Sequence, residues 1–399
     1  MPDVETPAFL RLPDLARRTL GGAVVHASDE SFAERENLIR PGAPAFDPGA
    51  FGHKGKVYDG WETRRRRTPG HDHAIVRLGT PGVVHGVVVD TAWFTGNYPP
   101  EISVEAAGVE GHPAPDDLAA AQWTTLVPRS AVRGDAANPF PVADPHRYTH
   151  VRLSIYPDGG VARFRVHGEP VADPRLMVTG GLDLAALENG GGIIGCSDEF
   201  YSAPVNLIAP GLTRDMGEGW ENARRRGPGN DWVEFRLAAH GEVRLLELDT
   251  GYFLFNAPGA ARVSGCDEST ADPADPRAWF PLLERTDLRP DTRHRFVVAG
   301  PRPATRLRLD VYPDGGMARF RAYGRPSPQG WEGLWLRWLN TLPEPQLRAA
   351  LTASGAGEAD LAAVLAARPM AGWDALPRGV AERLGDTGDG GRRPPAGSA

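Results

Sequence analysis

A carboxylate and a group of guanidinium side chains stand within four residues of one another at Glu62, Arg65 and Arg66. The arrangement returns at Glu221, Arg224 and Arg225. A planar guanidinium grips a carboxylate through two parallel N–H bonds, so Arg65 or Arg66 is a candidate anchor for a small anion. Glu62 is the matching candidate for moving a proton beside it. Adjacent arginines on a strand alternate faces, so no more than two of Arg65, Arg66 and Arg67 can point into one site; a solvated basic loop is the competing reading. His71-Asp72-His73 adds a His-x-His step, whose imidazoles share one face of a strand. Such a step suits a metal site or a general acid/base, and two loop histidines explain it as well.

Two further polar clusters complete the set. Ser28-Asp29-Glu30 reappears as Ser197-Asp198-Glu199, and Asp90-Thr91, Phe94 and Asn97 reappear as Asp249-Thr250, Phe253 and Asn256. Asp29, Glu30, Asp90 and Asn97 are thereby candidates, as is Asn256 in the second copy. Repetition also fits a turn scaffold that the fold needs twice. The copies diverge in detail. Gly96 allows close backbone approach to a ligand where the second copy carries Phe255, and His71 and His73 become Asn230 and Trp232. If one copy works, the first is favoured.

These clusters are held by a module written twice. Residues 156–168 return at 312–324 with ten of thirteen positions identical, and Gly60-Trp61-Glu62 returns as Gly219-Trp220-Glu221. Each unit is about one domain long. Val83–Asp90 and Val243–Asp249 read as strands. Val151–Tyr156, the turn Pro157-Asp158-Gly159-Gly160 and Val161–His167 read as a β-hairpin. In its returning strand Ala162, Phe164 and Val166 face the core, and Arg163, Arg165 and His167 face away, which predicts burial on one face only. Many short strands without helical patterns between them predict an all-β pair of jelly-roll sandwiches. The tail differs: Trp331, Leu334, Trp335, Trp338, Leu339 and Leu342 fall at helical spacing, Leu347–Leu365 reads as one or two Ala-rich helices, and the stretch from about Gly385 reads as disordered. The expected divisions are 1–178 and 179–328 for the two sandwiches and 329–399 for the helical extension.

Composition narrows the partners. The net charge of −7 argues against nucleic acid or an acidic membrane. Lys54 and Lys56 are the only lysines among 44 basic residues, a bias that a GC-rich coding sequence explains. Cys196 and Cys266 form neither a disulfide framework nor a metal motif, and no apolar run is long enough to cross a bilayer, so a cytoplasmic protein is expected.

Taken together, Ser28-Asp29-Glu30, the run Tyr58–Arg65, Asp90-Thr91 with Phe94-Thr95-Gly96-Asn97-Tyr98-Pro99, and Tyr156–Arg163 resemble the allantoicase family, over roughly residues 15–327. That resemblance implies tandem jelly-roll sandwiches and hydrolysis of allantoate to ureidoglycolate and urea. It casts Arg65 or Arg66 as clamp for the substrate carboxylate, and Asn97 and Asp90 as partners of its ureido groups. Glu62, Glu30 or His71 would move protons, and Asp29, Glu221, Arg224 and Asn256 would contact substrate. No cofactor is expected; a divalent metal at His71 and His73 is the alternative, and a homo-oligomer is compatible with the family. Residues from Trp338 to about Leu376 are similar to the start of the ureidoimidazoline decarboxylases. The competing class is a non-catalytic module binding carbohydrate or another small ligand through its end loops.

Overall fold

The computed structural model describes residues 6–53, 55–177 and 181–385. They fold as two compact units, the first comprising residues up to 171 with 341–350, the second 172–340 with the residues from 351.

Each unit is organised by one nineteen-residue strand that serves both layers of a sandwich. In unit one this is Asp72–Asp90, longer than the Val83–Asp90 stretch expected from sequence. Its first half pairs antiparallel with Ala23–Ala27 on one side and with Arg147–Tyr156 on the other. Its second half pairs with Arg163–Pro170 and with Ala137–Pro141. The register with Arg147–Tyr156 shifts between Arg77 and Gly82, where Pro81 offers no N–H to a ladder and the chain passes from one layer to the other. Glu101–Ala107 and then Thr124–Ala131 extend the first layer. Alternation makes the core: Val151, Leu153 and Ile155 are fully buried with Ala74 and Val76, and Ile102, Val104 and Ala106 join them.

Unit two repeats this plan around Asp231–Asp249. Gly192–Cys196 and Pro303–Tyr312 flank its first half, and Arg293–Val297 and Arg319–Pro326 its second. The extension forms helices Pro328–Thr341, Glu344–Ala353, Glu358–Ala367 and Arg378–Gly385. Leu334, Trp335, Trp338 and Leu339 of the aromatic stripe are buried, so the stripe is packing. The stretch expected to be disordered falls, beyond Gly385, outside the described residues. Among the described residues no helix is long and apolar enough to cross a membrane.

Two expectations from sequence are corrected. Residues 151–167 are not a hairpin: Arg147–Tyr156 pairs in one layer, Arg163–Pro170 pairs with the other half of the long strand, and Gly160–Val161 between them pairs with Trp61–Glu62. Turn chemistry was legible there, but a turn can also carry the chain across a sandwich. The returning strand keeps the expected alternation from Phe164 to His167, with Phe164 and Val166 buried and Arg165 and His167 half-buried, but its first residue departs from it. Arg163 is 2% exposed, its guanidinium donating to Gly42 O, Asp59 O and the Asp59 carboxylate, so a buried charge is fully partnered. Arg319 repeats this with Gly211 O and Glu218 O.

Candidate active site

The corner made by residues 157–160 brings the separate sequence clusters together at one end of unit one. Gly160 is the ladder partner of Glu62, and Gly160 N–H donates to Asn97 O at 2.7 Å. Glu62 and Asn97 therefore meet: the Asn97 amide donates to Glu62 Oε1 at 2.7 Å. The floor beneath them is fixed by ring packing. Trp61 is fully buried and its indole N–H donates to Asp29 O at 2.7 Å. Phe94, 1% exposed, lies so close that a Cβ on Gly60 or Gly160 would fall 2.8 Å or 2.0 Å from its ring. Gly160 is thus required by the approach of the phenyl ring, and Gly60 by that ring together with the Val161 carbonyl, which would lie 2.7 Å from its Cβ.

Burial pushes the Glu62 carboxyl above the usual glutamate value, and the Asn97 hydrogen bond offsets only part of that. Among the described residues no cation is bonded to it, so Glu62 is a carboxyl whose pKa its surroundings raise, as suits an acid/base group. Asp90 is also raised, chiefly by burial; its carboxylate accepts the Ala92 N–H at 2.9 Å and holds the turn that leads to Asn97.

The remaining candidates divide sharply. Asp29 caps a turn, accepting the N–H groups of Ser31 and Arg64 at 3.0 and 2.9 Å. Burial acts to raise its pKa, but those N–H donors outweigh it and hold the group below the ordinary aspartate value. Glu30 accepts the Arg35 N–H at 3.2 Å in an exposed turn, so it is an unremarkable surface carboxylate. Arg66 is committed to the fold: its N–H donates to Asp158 at 2.7 Å and its guanidinium to buried Asp72 at 2.7 Å. Ser28 Oγ donates to the same Asp72 oxygen at 3.0 Å. The arginines do not lie on a strand, because the strand they follow ends at Glu62, and Arg65 is the candidate of the pair left exposed to solvent.

His71 sits against Tyr156, at the strand end that leads into the corner. Its ring packs on Tyr156 at 4.8 Å and 6.3 Å from His73, and His73 lies 5.2 Å from His26. Burial, with neighbouring His26, Arg152 and His71, lowers the His73 pKa to about 4. Among the described residues no group of three or more His, Cys, Asp or Glu is placed to hold a metal ion.

Unit two reproduces the frame. Asn256 donates to Glu221 at 2.6 Å, Trp220 to Asp198 O at 2.8 Å, and Arg225 pairs with buried Asp231, while Arg224 is exposed. Its mouth differs. A cleft of about 470 Å³ opens there, lined by Asp215, Met216, Tyr252, Leu254, Phe255 and Asn256. Phe255 is 97% exposed where unit one has Gly96. Sequence reasoning missed what lies over the corresponding place in unit one: Trp93 stacks on Phe46, Phe46 on Tyr58, and Tyr58 on Phe94, at 5.5, 5.5 and 4.9 Å. Unequal spacing was the available signal, since twenty residues separate Ile39 from Gly60 and ten separate Ile208 from Gly219.

Comparison with known proteins adds to this geometry. The family model described as the allantoicase repeat matches residues 13–171 and again 182–327. A protein of Nocardia farcinica named "Probable allantoicase" is 58% identical over 79% of this chain and 95% of its own length. One from Streptomyces avermitilis with the same name is 49% identical over 83% and 90%. The crystal structure of allantoicase from Saccharomyces cerevisiae superposes with a TM-score of 0.68 at 33% identity, over 78% of this chain and 93% of that one.

Proposed function

The chain belongs to the allantoicase family, and we propose that it hydrolyses allantoate to ureidoglycolate and urea at the Glu62–Asn97 corner of unit one. The observation that carries the location is a half-buried carboxyl, raised by burial, held by an amide and, among the described residues, bonded to no cation. Likeness along two full repeats to proteins named for this hydrolysis sets aside the reading as a non-catalytic binding module.

Allantoate places a carboxylate and two ureido groups on one carbon. The Glu62 carboxyl gives its proton to the departing urea nitrogen, and the lone pair of the remaining ureido nitrogen fills the carbon as the C–N bond breaks. Water then adds to the acylimine-like carbon, returning a proton to Glu62 and completing ureidoglycolate. One carboxyl can serve both steps when its pKa lies nearer neutrality than usual. Asn97 orients Glu62 and has its carbonyl oxygen left for a ureido N–H. Exposed Arg65 takes the substrate carboxylate. Asp29, Asp90 and Arg66 hold the loops, so they act through structure. Glu221, Asn256 and Arg224 form the corresponding frame in unit two, with an altered mouth.

The chemistry assigned to these side chains requires no metal or other cofactor, and we place the reaction in the cytoplasm, in a protein free to form homo-oligomers. Urea release from allantoate by the purified protein, before and after chelation, tests the reading. Equal release supports side-chain acid–base catalysis. Loss on chelation with recovery on a divalent cation would move the chemistry to His71 and His73, and no urea from folded protein would overturn the assignment.

A further inference from the structure

The two units share the Glu–Asn frame and differ in what stands beside it. Matching hydrogen bonds fix the alignment. In unit one Arg163 donates to Gly42 O and the Ala45 N–H to the Asp59 carboxylate; in unit two Arg319 donates to Gly211 O and the Arg214 N–H to the Glu218 carboxylate. Ala45 thus stands at the place of Arg214 and Phe46 at that of Asp215, and the ten extra residues of unit one lie between Phe46 and Asp59. Trp93 stands at the place of Tyr252. Both hold a left-handed backbone, with φ of 70° and 68°, and both donate their N–H to an aspartate, Asp135 at 2.7 Å and Asp291 at 2.8 Å. A bulky residue with positive φ is strained, so each unit presents a ring at this point against the local preference of its backbone.

In unit one that ring is covered from within the chain. Phe46 stacks on Trp93 at 5.5 Å with 20° between the planes, and Tyr58 stacks on Phe46 in turn. Unit two carries Asp215 and Gly217 at the places of Phe46 and Tyr58, so it has neither ring. The cleft of about 470 Å³ opens there, with Tyr252, 48% exposed, as one wall. Leu254 and Phe255 add apolar walls where unit one has Thr95 and Gly96. A concave space of this size, mostly apolar with a few polar groups, has the make-up of a small-molecule pocket. Its polar groups, Asp215 and Asn256, offer acceptors. The Asp215 side chain caps no N–H of the turn it begins, and Asn256 gives its amide to Glu221 while its carbonyl oxygen faces no donor among the described residues. Among the described residues no cation is bonded to Asp215 or Glu221, and neighbouring Arg214 is bonded to Glu218.

We propose that the unit-two cleft is a binding site for a small flat aromatic cation, whose ring takes on Tyr252 the place that Phe46 takes on Trp93 and whose N–H groups donate to Asp215. The ring faces attract a cation through their quadrupole, and a carboxylate that no cation offsets repels an anion. The site is built from unit two alone, so it stands whichever reaction unit one performs.

Benzamidine, a flat ring bearing a cationic fork of N–H groups, is the probe, titrated by calorimetry into the full-length protein. It should bind with a dissociation constant below about 1 mM, as a well-seated fragment does. Asp215→Asn should weaken binding about tenfold, the range of a lost charged hydrogen bond. Tyr252→Asn, which removes the ring and suits the left-handed backbone, should weaken it at least as much. Asp215→Phe, which copies unit one and fills the place with a ring, should abolish it. Benzoate, the same ring with the opposite charge, should give no heat of binding. All three substitutions lie at exposed positions, and melting temperatures close to the native value confirm that the variants are folded. Absence of benzamidine binding by the native protein would overturn the proposal, as would native-like binding in both Tyr252→Asn and Asp215→Phe, or equal binding of benzoate. Glu62→Gln should bind the probe as the native protein does, whatever its effect on urea release; loss of binding there would put the probe at the unit-one corner and reject the unit-two site.

Discussion

Asn97 and Glu62 are thirty-five residues apart in the chain and 2.7 Å apart at their side chains. Neither could reach the other without Gly160, which pairs with Glu62 and binds the Asn97 carbonyl. Three loops from distant parts of the sequence are thus locked by two hydrogen bonds and one phenyl ring. The contact orients the carboxyl without neutralising it, since an amide carries no net charge.

Replacing Glu62 by Gln keeps an acceptor for Asn97 and removes the titrating group. Urea release should fall by at least about a hundredfold, the usual reach of a positioned acid/base group. Stability should move the other way. The folded state holds this carboxyl above its ordinary pKa, so ionisation is penalised in the fold, and native stability declines as pH rises from the ordinary value through the raised one. The Gln variant lacks that decline. Its melting temperature should match the native protein at acid pH and exceed it above that window, measured by calorimetry across pH; an inactive variant less stable at every pH would speak against the buried carboxyl.

Arg65 and Arg66 should separate cleanly. Arg66→Ala leaves Asp72, 2% exposed, without its cation, and breaking such a buried pair costs about 3–5 kcal/mol. The melting temperature should drop, with KM of the remaining folded enzyme nearly unchanged. Arg65→Ala should keep the melting temperature and raise KM. Denaturation curves and steady-state kinetics on both variants check this, and the reverse pattern would exchange their roles.

The repeat, the β-sandwich pair and the helical tail were legible because they rest on identity at fixed spacing and on periodicity of apolar residues. Trp338 at helical spacing is packing, as its spacing suggested. Glu62 and Asn97 were legible as chemistry but not as partners, because a contact across a sandwich corner leaves no local pattern. Arg66 misled for a related reason. A guanidinium bound to buried Asp72 and one free in solvent look alike in sequence, and only Asp72's place in the long strand separates them. The insertion between Gly42 and Asp59 left a signal in loop length, but its stack of Phe46, Tyr58 and Trp93 needed coordinates. Val151–His167 failed as a hairpin because turn residues specify a change of direction, not which strand is met afterwards.

The histidines on the outer face of unit one should govern acid lability. The pKa of His73 is lowered to about 4, first by burial and then by His26, Arg152 and His71, and His150 is lowered to about 4 mainly by burial. Both titrate near 6.5 when unfolded, so the unfolded chain takes up protons first as pH falls. Stability should therefore be lost between about pH 6.5 and 4. Unit two carries Trp232 at the place of His73, which shows that the fold accepts a side chain there that cannot titrate. In His73→Gln the denaturant midpoint should fall less steeply over this window, with urea release near neutral pH retained. An unchanged slope would move the acid response to other groups.

Gly160 offers the strictest test of how the corner is built. A Cβ there would lie 2.0 Å from the Phe94 ring, a distance no relaxation of a methyl can absorb. Phe94 cannot retreat freely, because Tyr58 stacks on it at 4.9 Å and its own N–H is bonded to Thr91 O at 2.9 Å. The strain must instead part the Gly160–Glu62 ladder or lift the Asn97 loop. Gly160→Ala should consequently lower the melting temperature and cut kcat together, since overpacking of this kind costs about 1–3 kcal/mol and the displaced group is the one that holds the Glu62 carboxyl, to which we assign the proton transfer. Phe94→Leu in the same chain makes room for the new methyl. The double variant should therefore recover part of both losses, a coupling measurable by a double-mutant cycle. Strict additivity of the two changes would show that the ring and the glycine do not meet as described.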